Sequence, residues 1–234
     1  MDNEKGKSII PTGTSNLAKT DKLLSITKKI LSEIKPQYET VMIGNQEWMT
    51  RNLDVDRFRN GDLIQHSEPN EEWEEAGEKG QPAWCYYDNA PENGKKYGKL
   101  YNWFAVNDSR GLAPEGWHIP SNDEWTTLIN FLGGKEVAGH KMKSDNGWND
   151  WEDNYGGIKN GNGDDSSGFN ALPGGFRGIN GSFRNVVINT FFWSATKLGR
   201  GLAWRRGMNG SEELSRHFYF GFKSSGASVR CLRN

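Results

Sequence analysis

The sequence predicts an α+β domain, rich in loops, with short strands and few helices, preceded by one N-terminal helix. Three observations predict it. Motifs in the last two-thirds of the chain set large aromatic rings beside or close to Gly and Pro, as in Gly116-Trp-His-Ile-Pro120 and Gly168-Phe-Asn-Ala-Leu-Pro-Gly-Gly-Phe-Arg177. That pairing suits irregular backbone turning tightly around buried rings. The 234 residues include 10 Trp, 7 Tyr, 11 Phe and 29 Gly, yet only 34% are hydrophobic, so the core is aromatic-heavy and the chain is not disordered. Clean helical spacing is confined to short stretches.

Residues 1–19 are polar and read as a flexible tail. Within residues 20–38, Leu23, Ile26, Ile30 and Ile34 fall at helical spacing and Pro36 ends the pattern. This amphipathic helix either packs on the domain or leaves its stripe for self-association or partner docking. Thr40 to Met49 reads as a hairpin around Gly44-Asn45 and opens the main domain, residues 39–234. Asn60-Gly61 marks a turn, and the acidic stretch from Glu68 to Glu78 is a solvated face or a site for a cation or basic partner. Ser121 with Glu124 forms a capping box for a short helix through Leu132, stopped by Gly133-Gly134. Lys135 to Ser167 shows little periodicity and reads as an elaborate surface loop region, and Phe169 to Asn234 as short strands joined by long loops.

Bulk properties narrow the function. A net charge of −1 supplies no global field for nucleic acid. No apolar run approaches the roughly 20 residues that span a bilayer, so neither membrane insertion nor a cleaved leader is expected. Cys85 and Cys231 form one disulfide or none. His66, His118, His140 and His217 lack metal-site spacing, and His118 suits a hydrogen-bonded ring inside a scaffold motif. Asp164 and Asp165 in a Gly-rich loop suit a hard cation such as calcium, or an ordinary turn. Asn180-Gly-Ser182 and Asn209-Gly-Ser211 fit glycosylation acceptors and common turns equally. No nucleophile elbow, phosphate-cradling loop or Cys-x-x-Cys pair occurs, and no cofactor is expected.

The C-terminal stretch carries side chains that folding does not ask for. Gly178 to Thr190 has no clean period, and His217-Phe-Tyr-Phe-Gly-Phe222 sets adjacent aromatics that cannot all face one core. Rings and arginines on framed loops are what recognition surfaces use.

Several motifs, in order, carry a resemblance: Trp48-Met-Thr-Arg-Asn-Leu53, Tyr97-Gly-Lys-Leu-Tyr-Asn-Trp103, Gly116-Trp-His-Ile-Pro-Ser121, Glu124-Trp-Thr-Thr-Leu128, Gly168 to Arg177, Trp193-Ser-Ala-Thr196 and Ser228-Val-Arg-Cys-Leu232. Over residues 39–234 the chain resembles the Fibrobacter succinogenes major paralogous domain family. The resemblance implies the formylglycine-generating-enzyme branch of the C-type lectin fold. Enzymes of that branch hold copper on a C-terminal cysteine pair, whereas Cys231 stands alone in this C-terminal half. Similar domains also serve as variable proteins of diversity-generating retroelements, in which randomised asparagine-type codons exclude Trp, Met, Lys, Gln and Glu. Trp193, Trp204, Met208, Lys197 and Lys223 fall outside the accessible set. Ile179, Phe183, Val186, Val187, Ile188, Thr190, Phe192 and Leu198 fall within it, as do Arg200, Leu202, Arg205, Gly207, Phe218, Tyr219, Phe220 and Phe222. The resulting expectation is a non-enzymatic, receptor- or adhesin-like protein whose diversified C-terminal face binds a protein or glycan through those residues. A formylglycine-generating-type oxidase, or a degenerate relative of one, is the alternative; a structural envelope domain is another.

Overall fold

The computed structural model describes residues 22–23, 38–210 and 219–234. The chain divides into two compact units, residues 1–37 and 38–234. In the first, Lys22 and Leu23 are helical, and the rest of the predicted tail and helix lies outside the described residues.

The second unit is mixed α and β, with several small sheets and short helices. Its opening hairpin forms as predicted: β1 (Thr40–Ile43) and β2 (Gln46–Met49) pair antiparallel, and Gly44 takes the left-handed conformation, φ 64°, that the tight turn requires. The last strand, β14 (Leu232–Arg233), sets Leu232 opposite Trp48 and also pairs with β6 (Trp117–His118). The two ends of this unit therefore close on each other. A three-stranded sheet joins β3 (Gln65–His66), β4 (Ala83–Cys85) and β5 (Leu100–Tyr101), and a two-stranded ribbon joins β7 (Trp151–Glu152) to β8 (Ile158–Lys159). The largest sheet runs β10 (Phe183–Val186), β9 (Gly174–Arg177), β11 (Asn189–Lys197), β12 (Leu202–Asn209), β13 (Tyr219–Phe222).

The acidic stretch forms α1 (Asn70–Lys79), which buries Trp73 and Ala76 and leaves its glutamates on the outer side. Two short helices follow, α2 (Pro91–Tyr97) and α3 (Trp103–Val106). The capping box starts α4 (Asn122–Phe131): Ser121 Oγ accepts from the Glu124 amide at 3.2 Å, and the Ser121 amide donates to Glu124 Oε2 at 2.7 Å.

Two expectations need correction. Residues 135–142 belong to a helix, α5 (Lys135–Met142), not to a loop. Its apolar stripe is only Ala138 and Met142, one turn apart, too narrow a pattern to show as periodicity. The C-terminal strands β11 and β12 are nine and eight residues long rather than short. In β11 the alternation is hidden because both faces are covered. Phe191 and Trp193 of β11 point into one core cluster with Trp84, Tyr101, Trp103 and Trp117, while Phe192 points into another with Trp48, Trp125, Leu128 and Phe169. A strand buried on both faces reads as a continuous apolar run.

Trp117, Trp125 and Trp193 are buried, whereas Trp204 is only half-buried. Trp125 packs within 6 Å of Trp48, Phe169 and Phe192, at ring separations of 4.8, 5.9 and 5.7 Å. Trp125→Ala should lower stability by about 3–5 kcal/mol, through lost transfer energy plus an uncollapsed cavity, measured as a shift in the denaturant midpoint at unchanged slope.

Candidate functional site

The site is built on the edge of the largest sheet. The Gly178–Ser182 turn between β9 and β10 is held from beneath by Arg177, which is fully buried and donates from Nε to Gly181 O at 2.8 Å and from its amino groups to the Ser67 and Glu68 carbonyls. The guanidinium also lies over the Trp73 and Phe183 rings, 4.7 Å from each centroid. Across the site, Lys223 ties the Gly199–Gly201 turn between β11 and β12 to the end of β13. Its Nζ donates to Gly199 O at 3.0 Å and Arg200 O at 2.9 Å, and its carbonyl accepts from the Trp103 amide at 2.8 Å. Both turns are thus fixed by side chains outside the expected recognition set.

Between these supports lies an open groove of about 460 Å³. Five expected residues border it: Ile179, Leu202, Arg205, Phe220 and Phe222. Ile179, Phe220 and Phe222 are 48%, 55% and 59% exposed, unusually open for such large apolar groups. Register sets Leu202 opposite Phe222 and Trp204 opposite Phe220, with Ala203, Gly221 and Arg205 on the other face. The groove draws on residues of both faces and reaches from β13 to the turn between β9 and β10. Arg205 stretches over the Phe191 ring at 4.1 Å and across Gly221, where a Cβ would meet its Nε at 3.0 Å. A glycine at 221 is what lets the guanidinium lie flat there.

The other expected residues fall elsewhere. Phe183 and Val186 are half-buried and pack against the cluster containing Trp73 and Tyr87. Ile188 and Arg200 are exposed, and Val187 and Leu198 are half-buried, none of them bordering the groove. Thr190, Phe192 and Gly207 are buried in the sheet, and Phe192 is wholly enclosed by aromatic neighbours. For these three, burial makes packing the role in place of the surface contact expected. Phe218 and the Tyr219 side chain lie outside the described residues. Among the groove residues outside the expected set are Phe176 and Arg184. They face each other across the β9–β10 pair, a relation visible only once the register is known.

A family model, the Fibrobacter succinogenes major domain, matches residues 41–233. The chain belongs to this family. Neither the curated proteins nor the solved structures include a match to it.

In this Fibrobacter-type domain the cysteines are both free and buried, in separate core clusters, so the open question of a bridge resolves to none. Burial pushes the Cys85 and Cys231 thiols up to about 12. The described histidines stand at separate places, each with its own carboxylate: His66 3.4 Å from Glu68, His118 2.8 Å from Glu124, His140 3.7 Å from Asp164. His118 bonds Glu124 and, at 2.9 Å, Asn234, but it is half-buried rather than enclosed. His217 lies outside the described residues. Asp164 and Asp165 accept the Ser166 and Asn170 amides at 2.9 and 2.7 Å, the pattern of a turn. No group of three or more potential metal ligands converges among the described residues. Likewise, no helix there is long and apolar enough to cross a membrane.

Both thiols should therefore be silent to a thiol-specific reagent at mildly alkaline pH in the native protein and titrate fully after denaturation. Because their native pKa is raised, the stability gained from keeping them neutral is complete below the ordinary thiol value of 9.0 and drains away toward about 12. Denaturant midpoints should fall over that window more steeply in the native chain than in Cys85→Ala, Cys231→Ala.

Proposed function

We propose that the chain is a non-enzymatic ligand-binding protein on a C-type lectin-like scaffold, with a diversified C-terminal face that contacts a protein or glycan, as the variable protein of a diversity-generating retroelement. The observation that carries the reading is the groove: exposed Ile179, Phe220 and Phe222 border it, while Arg177 and Lys223 fix the backbone around it. Closure of the domain by pairing of its first and last sheet strands, with irregular backbone between, supports the scaffold assignment. The oxidase alternative gains nothing from the geometry, since the two thiols sit in different cores.

A second feature supports diversification. Val187 holds φ 60°, a left-handed conformation that a β-branched residue adopts only under constraint. The constraint is local: the Val187 amide donates to Pro173 O at 2.9 Å and its carbonyl accepts from the Asn149 amide at 2.7 Å. The backbone there suits asparagine, which tolerates this region and is the residue that an unmutated adenine-rich codon would encode. A valine imposed on an asparagine's backbone is what mutation of the codon without regard to conformation produces. Val187→Asn should raise stability by about 1 kcal/mol, seen as a higher denaturant midpoint; a fall would place Val187 among the packing residues.

The binding reading itself is tested by changing Ile179, Phe220 and Phe222 to Ser together and screening both proteins on a glycan array and a surface-displayed protein library. Each exposed change should move stability by no more than about 0.5 kcal/mol, while hits of the parent protein disappear. Retained hits, or loss of folding, would reject the groove as the binding face. DNA beside the gene should hold a near-identical repeat differing at adenines, and its absence would reject the retroelement assignment.

A further inference from the structure

The chain holds seven Asn-Gly pairs, and in such a pair the glycine amide nitrogen can attack the asparagine side-chain carbonyl carbon, because glycine has no Cβ to obstruct the approach. The new C–N bond closes a succinimide ring, the bond to the side-chain nitrogen breaks, and ammonia leaves. Water then opens the ring at either carbonyl, giving aspartate or, with the main chain rerouted through the side chain, isoaspartate. Nothing is oxidised or reduced, and water is the only co-reactant. The step needs a glycine N–H free to lose its proton and an asparagine side chain free to turn toward it.

Six of the seven pairs fail one requirement or the other. The Gly61, Gly94, Gly163 and Gly181 amides donate to the Phe58, Ala90, Ser144 and Gly178 carbonyls at 2.9, 3.4, 3.0 and 3.1 Å. Asn93 is further held in helix α2 by its own bond to Tyr87 O at 3.0 Å. Asn160 Oδ1 accepts from the Asn162 amide and side chain at 3.0 and 2.9 Å, and Gly161 is buried where an added Cβ would collide with the Asn149 carbonyl. Asn209 is half-buried at the end of β12, its carbonyl accepting from Lys143 at 3.2 Å.

Asn146-Gly147 meets both requirements. Asn146 is exposed, and the Gly147 amide makes no hydrogen bond among the described residues. The side-chain amide of Asn146 donates to Asp145 Oδ1 at 2.6 Å, a neighbour that is exposed as well. The backbone here also supports buried structure. The Asn146 carbonyl accepts from Ser144 Oγ at 2.7 Å, which in turn accepts from the indole of buried Trp148 at 3.1 Å. The next residue, Asn149, donates its amide to the Val187 carbonyl at 2.7 Å. An isoaspartyl link lengthens the main chain at this point by one methylene. Either product also sets a second carboxylate beside Asp145 in place of the amide that bonded it.

We infer that Asn146-Gly147 is a self-modification site, where the folded chain converts to aspartyl and isoaspartyl forms ahead of its other Asn-Gly pairs and loosens the support of Trp148 and the Val187 turn. The conversion needs no ligand.

The test holds the full chain at mildly alkaline pH, folded and, in parallel, in denaturant. Trypsin then cuts after Lys143, Lys159 and Arg177, placing Asn146 in a different peptide from Asn160 and Asn162. Fragment masses report conversion at each asparagine, and methyl transfer from S-adenosylmethionine by an isoaspartyl methyltransferase counts the isoaspartyl product. In the folded chain Asn146 should convert at least about tenfold faster than any other pair, since a bonded or packed amide reacts only when the local structure opens. In denaturant the seven rates should converge. The rate at Asn146 should rise with pH, as attack by a deprotonated amide requires. Asn146→Gln should keep its denaturant midpoint through the incubation, while that of the parent falls as isoaspartate accumulates. Conversion led by another pair, or no preference for Asn146 in the folded chain, would overturn the inference. An unchanged midpoint after Asn146 has converted would overturn the loosening while leaving the modification site standing.

Discussion

Buried cations that collect backbone carbonyls are the constraint on which this fold depends. Most strands outside the large sheet are two to four residues long, so long tracts of backbone cannot satisfy their carbonyls in ladders and must find donors elsewhere. Arg230, fully buried, donates to the Met49, Phe169 and Asn170 carbonyls and to Asn52 Oδ1, drawing the N-terminal hairpin and the Gly168 loop onto the C-terminal segment. Burial pulls its guanidinium down to about 9, still a cation at neutral pH. Arg177 gathers the carbonyls of residues 67, 68 and 181, and Lys143 those of Gly161, Asn209 and Gly210. Indole N–H groups act alike: Trp103 donates to Ser194 O at 2.9 Å and Trp193 to Tyr101 O at 2.7 Å. Removing one such donor strands several buried acceptors at once, each at about 1–3 kcal/mol. A chain only 34% hydrophobic can hold irregular backbone because its buried residues combine large apolar area with hydrogen-bond donors.

That constraint separates frame from face. The donors that hold loops are Arg, Lys and Trp pointing inward, and the groove-lining rings take no part in those bonds. Arg206, by contrast, is a frame residue inside the C-terminal segment: nearly buried, it donates to Asn122 Oδ1 at 2.8 Å and Asn122 O at 2.9 Å and so locks β12 to the start of α4. Its neighbour Arg205 borders the groove. Two adjacent arginines thus divide between stability and surface because successive strand positions face opposite ways.

The frame was more legible in the sequence than the face. The hairpin at Gly44, the capping box at Ser121 and burial of Trp117, Trp125 and Trp193 follow from local signals, each carried by a turn residue, a cap or a ring in its motif. Helix α5 shows no period because only two apolar residues mark it, and the length of β11 is hidden because a strand covered on both faces does not alternate. At the site, codon accessibility grouped Phe192 with Phe222, yet one is enclosed and the other more than half exposed. Codon chemistry carries no information about burial. Only the register separates the positions, by setting Phe192 opposite Arg206 in the sheet centre and Phe222 opposite Leu202 at its margin.

The exposed rings of β13 lie beside a margin closed by polar contacts. Exposed strand edges with apolar side chains invite uncontrolled pairing, and proteins commonly suppress them with lysine, proline or a bulge. Tyr219–Phe222 carries none of these in its own sequence. Meanwhile the nearby margins are managed: Lys223 is spent on the neighbouring turn, and the Phe222 carbonyl is closed off by Ser225. Pairing beyond Phe222 is therefore blocked, and the open stretch is short.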